Sequence, residues 1–317
     1  MICKFKFHGV GQGLFYSAKL YENEKEVGCF IYDCGSESTQ TYIKAEVEQF
    51  CAEAKRLDFL VISHLHDDHV NGLPDLLAKV TPEKIFLPYF DAKTYKNAFA
   101  ACLVMGGLAP DSEEYRLLWE WYTQQPSGVT LVGDDSCYSG ILQWQFLFFN
   151  KHIDDAKIGK LEKALLSLFE KEAVDDIRSY VKKDPALEAL KEIFKKTIGK
   201  NSQNATSLVM LHHSVNESGT QTLLTGDGGF IRELSERVCK EISTGKQVLA
   251  QIPHHGAKAE WKQFQRNIES YVSEFIVSFG LGNQYQHPTT DCIDAIFTAG
   301  KPLHLVYQRH SFEGECI

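Results

Sequence analysis

The nine residues Ser63–Asn71, SHLHDDHVN, place three histidines and two aspartates between an apolar run and a Gly-Leu-Pro turn. The preceding residues, Leu57–Ser63 (LDFLVIS), read as a short buried strand, so the polar cluster starts where a strand ends. Its spacing is H-x-H-x-D-H, carried by His64, His66, Asp68 and His69. Imidazole and carboxylate are the ligands expected for zinc and similar ions, and catalytic sites leave one position open. Side chains two apart on an extended segment point the same way, so His64 and His66 can share one ion. Asp68 and His69 follow in a tighter turn and can serve a second. Asp67 falls outside this spacing and is expected to face solvent or cap the turn. The competing reading is a helix-capping acidic loop with incidental histidines, which four ligand-type residues at this spacing argue against.

A pair of ions needs ligands from elsewhere, and two strand ends offer them. In TQTLLTGDGG, Asp227 stands directly after an apolar run between glycines that allow close backbone approach. A carboxylate there can bridge two cations; taken in isolation it is equally a turn aspartate. In VLAQIPHHGA, His254 and His255 end another strand-like run. Neighbouring strand residues face opposite ways, so one of the two is expected as a ligand, with His255 preferred. The other, His254, would face substrate or support a ligand.

The surroundings are those of a globular protein. Of 317 residues, 44% are apolar and 24% charged, enough for a real core. The formal net charge of -9 argues against a surface coated in nucleic-acid contacts, although a local basic groove is compatible with it. No apolar run is long enough to span a bilayer, and MICKFKFHGVGQG lacks the pattern of a signal peptide. The nine scattered cysteines form no CxxC pair and read as reduced thiols of a cytoplasmic protein.

Strand-like runs alternate with helical ones. Cys29–Cys34 (CFIYDC), LDFLVIS and Lys84–Pro88 (KIFLP) read as strands, separated by helices over Thr41–Arg56 and Pro74–Val80. Toward the C-terminus the rhythm returns, with SLVMLHH, TQTLLTGD, VLAQIPHH, EFIVSFG and PLHLVYQ as strands. Helices are expected over Phe230–Ile242, Ala259–Tyr271 and Thr290–Ala299. This order implies an α/β protein of sheets covered by helices. Two middle segments break it: Asp91–Gln125, helical and aromatic, and Lys151–Lys200, rich in Lys and Glu with Pro185 between two helices. The charged segment reads as a solvated helical hairpin or, more sharply, as a lid or partner-docking element.

Together these features resemble the metallo-β-lactamase superfamily, and more narrowly the hydrolase domain of the ComEC/Rec2 competence family and its stand-alone relatives. The resemblance is carried by VGQG (Val10–Gly13), IYDCGS (Ile31–Ser36), NATSLVM (Asn204–Met210), LLTGD, PHHG and GNQYQHP (Gly282–Pro288), in that order. It implies one domain over residues 1–317, a four-layer αββα sandwich with helical insertions at about 91–125 and 151–200. There are departures. Many members supply a further histidine between the first motif and the bridging aspartate, where this chain has Asn204 and Ser207. His152 or His212 could fill the gap, or one ion has a sparser shell. Phe7-His8-Gly9 stands where the group has an apolar residue and an aspartate, and His8 is expected as a satisfied surface or supporting histidine.

The resemblance implies two divalent ions, Zn2+ or Mn2+, held by His64, His66, Asp68, His69, Asp227 and His255. Asp68 would also orient the attacking water, and Asp227 would hold the ions together. His287, which precedes Pro288 and is biased toward an extended conformation, and His254 would steady developing charge or protonate the leaving oxygen. His212, His213, His304 and His310 are assigned no chemistry. The implied reaction is hydrolysis of a phosphodiester, in nucleic acid or a nucleotide, and net acidity favours a short strand or small molecule over long duplex. Alternatives are a lactone, thioester or β-lactam hydrolase, and a partner subunit that docks through the helical insertions.

Overall fold

The computed structural model describes residues 2–316 except 38–39, 134–135, 142–143, 150–153, 184–185, 199–206, 214–218, 230–231 and 243–245. His152, Pro185 and Asn204 lie outside the described residues, as do Lys151, Lys200 and Phe230 at the ends of expected elements. In chain order the strands are β1 Ile2–Phe7, β2 Phe15–Glu22, β3 Lys25–Cys34, β4 Phe59–Val61, β5 Lys84–Pro88, β6 Val129–Val132 and β7 Ser136–Ile141. There follow β8 Trp144–Phe149, β9 Val209–His213, β10 Gln221–Leu224, β11 Val248–Gln251, β12 Glu274–Ser278, β13 Leu303–Val306 and β14 Phe312–Cys316. They form two sheets, ordered β14-β1-β2-β3-β4-β5-β6 and β13-β12-β11-β10-β9-β8-β7.

The strands alternate sides at the period of a pleat even though both sides are apolar. On β3, Cys29 and Ile31 join the cluster under the first helical layer, while Phe30 and Tyr32 join the cluster between the sheets. Leu60 and Ile62 divide in the same way from Phe59 and Val61. On β9, Val209 and Leu211 face the second helical layer and Met210 faces the first sheet. Burial on both faces explains why these strands read as continuous apolar runs rather than alternating ones. The outer layers are helical. Gln40–Glu53, Lys96–Met105, Glu113–Gln124, Asp155–Glu172 and Ala186–Thr197 cover the first sheet. Arg232–Glu241, Lys258–Asn267 and Thr290–Thr298 cover the second. The result is the four-layer αββα sandwich of the metallo-β-lactamase fold.

Several elements depart from the expectation. Strands β1 and β2, the hairpin β7–β8 and the last strand β14 fall outside the expected strands, and β14 pairs antiparallel with β1 at the edge of the first sheet. The helix expected over Ala259–Tyr271 stops at Asn267 and resumes as a 3-10 turn at Glu269–Tyr271. The charged middle segment is not a loosely solvated hairpin. Leu161, Leu165, Phe169, Leu190 and Phe194 are buried in one cluster with Phe99, Leu118 and Tyr122 of the other insertion. Glu162 fastens the two, accepting from Asn97 Nδ2 (2.8 Å) and from the Ala98 N–H (2.7 Å) at a helix start, where a carboxylate meets the exposed amides. Among the described residues, no helix is long and apolar enough to cross a membrane.

What positions the site is parallel pairing. β3 to β6 run parallel, as do β10 to β13. Asp33 and Ser278 stand at the carboxyl ends of β3 and β12, and the segments leaving the carboxyl ends of β4, β10 and β11 hold the His64–His69 motif, Asp227 and His254–His255. The crevice outside strand carboxyl ends is where open α/β sheets bind ligands.

Candidate metal centre

The chain must turn sharply after β4. His66 is extended and precedes the short helix Asp67–Val70, whose first turn carries Asp67 and Asp68. Two glycines hold this loop by contact. A Cβ on Gly13 would stand 2.5 Å from the Gly35 carbonyl oxygen and 2.6 Å from that of Asp68, and one on Gly35 would stand 2.5 Å from the His69 nitrogen. The VGQG and DCG runs are thus packed against the backbone of the motif. Gly106, at the end of the helix Lys96–Met105, abuts the Leu65 carbonyl, and its own carbonyl accepts from the Asp67 N–H (2.8 Å).

Two groups of side chains converge. Asp68, His69, Asp227 and His255 each bring a ligand atom within 4.8 Å of the others, and His64, His66 and Asp227 do the same. Asp227 belongs to both. Its Oδ1 is 3.3 Å from His69 Nε2 and 3.7 Å from His255 Nε2, while its Oδ2 is 3.8 Å from His64 Nε2 and 3.6 Å from His254 Nε2. His255 Nε2 also lies 3.1 Å from Asp68 Oδ2.

The outer contacts fix the tautomers. His69 Nδ1 donates to Asp33 Oδ2 (2.7 Å), and His255 Nδ1 donates to the Ser278 carbonyl (2.8 Å). Ser63 gives its N–H and hydroxyl to the two Asp33 oxygens at 2.6 Å, so His64 Nδ1, 3.0 Å away, donates to the Ser63 oxygen. Each ring therefore turns its Nε2 toward the carboxylates, the arrangement by which outer partners set metal-ligating histidines. His64 Nε2, His69 Nε2 and Asp227 Oδ1 are buried without a hydrogen-bond partner. Buried polar atoms are normally satisfied, and three such atoms divided between the two ligand groups fit places for cations.

The electrostatics follow from the crowding. Burial would raise Asp227, but His254, His69 and His255 hold its carboxyl well below the usual range. Asp68 is likewise held down against burial by His69 and His255. Burial would depress His69, yet Asp68, Asp227 and Asp33 push it well above the ordinary imidazole value. His64 moves the other way, lowered by burial and by His69 and His66.

The site opens into a cavity of about 380 Å³ whose wall includes Gln12, Glu37, His66, Asp67, His254 and Tyr285. His287 also lines it, with Nδ1 buried and without a hydrogen-bond partner. Burial and the neighbouring His254 and His255 push His287 down to about 4. Gln12 Oε1 accepts from the Gly280 N–H (3.1 Å) and the Gly13 carbonyl accepts from Ser278 Oγ (2.8 Å), which ties the two sheets together at the cavity.

Three expectations change. His254 and His255 are not strand residues: both lie in a 3-10 turn, Pro253–Gly256, with φ of 50° and 53°, and both rings reach Asp227. Alternation along a strand therefore cannot choose between them. What separates them is the back of the ring, where His254 Nδ1 meets Glu260 Oε2 at 3.4 Å and His255 Nδ1 meets a carbonyl. Asp67 is half-buried in the cavity wall rather than in open solvent, its carboxyl pushed up to about 6 by burial and by Asp68. His8 is buried, not on the surface: it stacks on Phe15 and sits 2.9 Å from Glu46 and 2.8 Å from Ser17. His212 lies between the sheets against Phe30 and Phe146 and does not join the ligand groups. Ser207 Oγ accepts from the Asp227 N–H (3.3 Å). His304 pairs with Glu274 at 2.9 Å.

Asp33 went unread as a site residue. Its signal is a carboxylate inside the apolar run FIYDC, since a charge placed there must find partners. The left-handed backbone of Asp33 (φ 57°), like that of His254, His255 and Gln286, is a strain that persists where surrounding structure fixes it.

Residues 18–135 match the model of the metallo-beta-lactamase superfamily, whose members are mostly metal-dependent hydrolases. Over those residues the chain resembles that superfamily. It is 35% identical over 103 residues, 29% of its length, to rubredoxin-oxygen oxidoreductase of Megalodesulfovibrio gigas, and spans 23% of that protein. The solved structure of Igni18, a metallo hydrolase from Ignicoccus hospitalis, aligns over 98% of both chains with a TM-score of 0.52 at 9% identity, a likeness of fold. Zn2+-bound PqqB from Methylobacterium extorquens aligns over 98% of this chain and 99% of its own with a TM-score of 0.48 at 8% identity.

Proposed function

We propose that the protein is a binuclear metal-dependent hydrolase of phosphodiesters. The observation that carries the reading is the sharing of Asp227 between two ligand groups on the floor of an open cavity. His64 and His66 with Asp227 would hold one divalent ion, and Asp68, His69 and His255 with Asp227 the other; Zn2+ and Mn2+ suit these donors. Such ions act as Lewis acids on a phosphoryl oxygen and bring the pKa of water to about 7. The protein's own contribution is orientation and proton handling. Asp33 and Ser63 lock His69 and His64, and Ser278 locks His255. His254, backed by Glu260, and His287 face the cavity beside the ligands, where Nε2 of His254 can pass a proton to a leaving oxygen. The PHHG and QHP resemblance favours a phosphodiester over a carboxylic ester, and among the described residues no Lys or Arg lines the cavity, which favours a small substrate over a long polyanion.

Metal analysis of the purified protein, with parallel assays of a chromogenic phosphodiester and a chromogenic ester, tests this. Two equivalents of divalent metal, phosphodiester turnover and loss of both in Asp227→Ala are expected. Absence of stoichiometric metal after reconstitution overturns the metal assignment, and turnover of the ester alone overturns the substrate class.

A further inference from the structure

The loop Gly280–His287 supplies more to the cavity than His287. Tyr285 lines it while remaining 51% exposed, a large aromatic surface kept in water beside the ligands. Its ring lies within 17° of the plane of His287, with centroids 5.9 Å apart, an offset stack. The phenol donates to Glu37 Oε1 (3.0 Å), and Gln284 Nε2 lies 3.4 Å from the same oxygen. Glu37 is held in turn by its N–H, which donates to the Gln12 carbonyl (2.5 Å). Asn283 Oδ1 accepts from the Tyr285 and His287 N–H groups at 3.1 and 3.0 Å, so the backbone that carries both rings is pinned. The tyrosine is thus a held, exposed ring at the mouth of the site.

The charges around it say what it can bind. Glu37, Asp67 and Asp68 are the charged side chains of the cavity besides Asp227 and the histidines. A polyanion tracking across this mouth would meet carboxylates where phosphate-binding surfaces carry Lys and Arg. A flat, uncharged ring is suited to it instead, because stacking needs only a π-face.

We infer that Tyr285 is a stacking platform for a nucleobase, and that the substrate is a small phosphodiester bearing a base next to the scissile phosphate, recognised by stacking rather than by backbone charge. This rests on the phosphodiesterase reading above. The ligands for the test share one phosphate and differ in the base: thymidine 5′-monophosphate and 2-deoxyribose 5-phosphate, titrated calorimetrically into the metal-loaded protein.

Wild type is expected to bind the nucleotide about tenfold more tightly than the sugar phosphate, within the range measured for one stacked base. Tyr285→Ala is expected to bind the two alike, while Tyr285→Phe, which keeps the ring and loses the Glu37 bond, keeps the preference. The nucleotide affinity is expected to change little between about 50 and 200 mM salt, where a polyanion site would lose several orders of magnitude. Equal binding in wild type, or a preference that survives in Tyr285→Ala, overturns the inference. Turnover of a phosphodiester is read separately: preference without turnover faults the hydrolase reading, and turnover without preference faults the platform.

Discussion

Asp33 supports both ligand groups from behind, and its effect is measurable without any substrate. It accepts from His69 directly and from Ser63, which in turn positions His64, so one carboxylate sets two rings. Asp33→Asn keeps the size and loses the charge; metal affinity measured by competition with a chelator is expected to fall about 10–100-fold. The histidine far from the cavity behaves differently. His8 is buried, and burial lowers it despite the opposing pull of Glu46. A histidine held neutral in the fold binds fewer protons than its unfolded counterpart once pH drops below about 6.5. Its contribution is therefore neutral above that pH and destabilising below it. Denaturant midpoints taken from pH 7.5 to 5 are expected to fall, and to fall less in His8→Gln. The candidate ligand histidines are legible because their spacing is itself the signal. Asp33, Ser63 and Glu260 were not, since they act through atoms that only folding brings near: Asp33 meets His69 across 36 residues, and Ser278 serves His255 with a backbone carbonyl common to every residue.

The short helix Asp67–Val70 keeps its position because neighbouring backbone can come unusually close. Gly13 has φ of 142° and no room for a Cβ between the Gly35 and Asp68 carbonyls. Gly13→Ala should cost about 1–3 kcal/mol by overpacking and weaken metal binding along with stability, measured by unfolding with and without metal. At this scale the sequence served well where elements are regular. KIFLP proved a strand with the expected bounds, and the helices over Gln40–Glu53 and Thr290–Thr298 came within a few residues of expectation. It served poorly for β1 and β14, whose alternation of Lys or Glu with apolar residues is a strand's period but runs for only five or six residues, with Lys4 pairing Glu315 across the surface. His254 and His255 failed for another reason: an LAQIPHH run looks like strand to its end, and only the left-handed turn shows where the strand stops.

Across the whole molecule, the helical insertions are part of the core of the first half. Leu165 is fully buried with Phe99 and Tyr122, so Leu165→Ala is expected to cost about 2–5 kcal/mol in global unfolding. A cost near zero in a denaturation series would mean that the segment opens on its own. The insertions also explain how the cavity acquires Gly106 and Gly107, which end the helix Lys96–Met105 and lie in its wall, while none of the described residues of 154–198 does. The proposed ligands are divided between the sheets, with His64, His66, Asp68 and His69 following β4 and Asp227 and His255 following β10 and β11. That division has a consequence for biosynthesis. On the proposed ligand set, a chain leaving the ribosome presents four donors by residue 69 but lacks the shared carboxylate until residue 227. A nascent chain can therefore hold an ion only loosely, and tight loading waits until the second sheet has docked. Because the apolar cluster between the sheets does not depend on metal, cells starved of it would accumulate a folded chain that loads when metal returns.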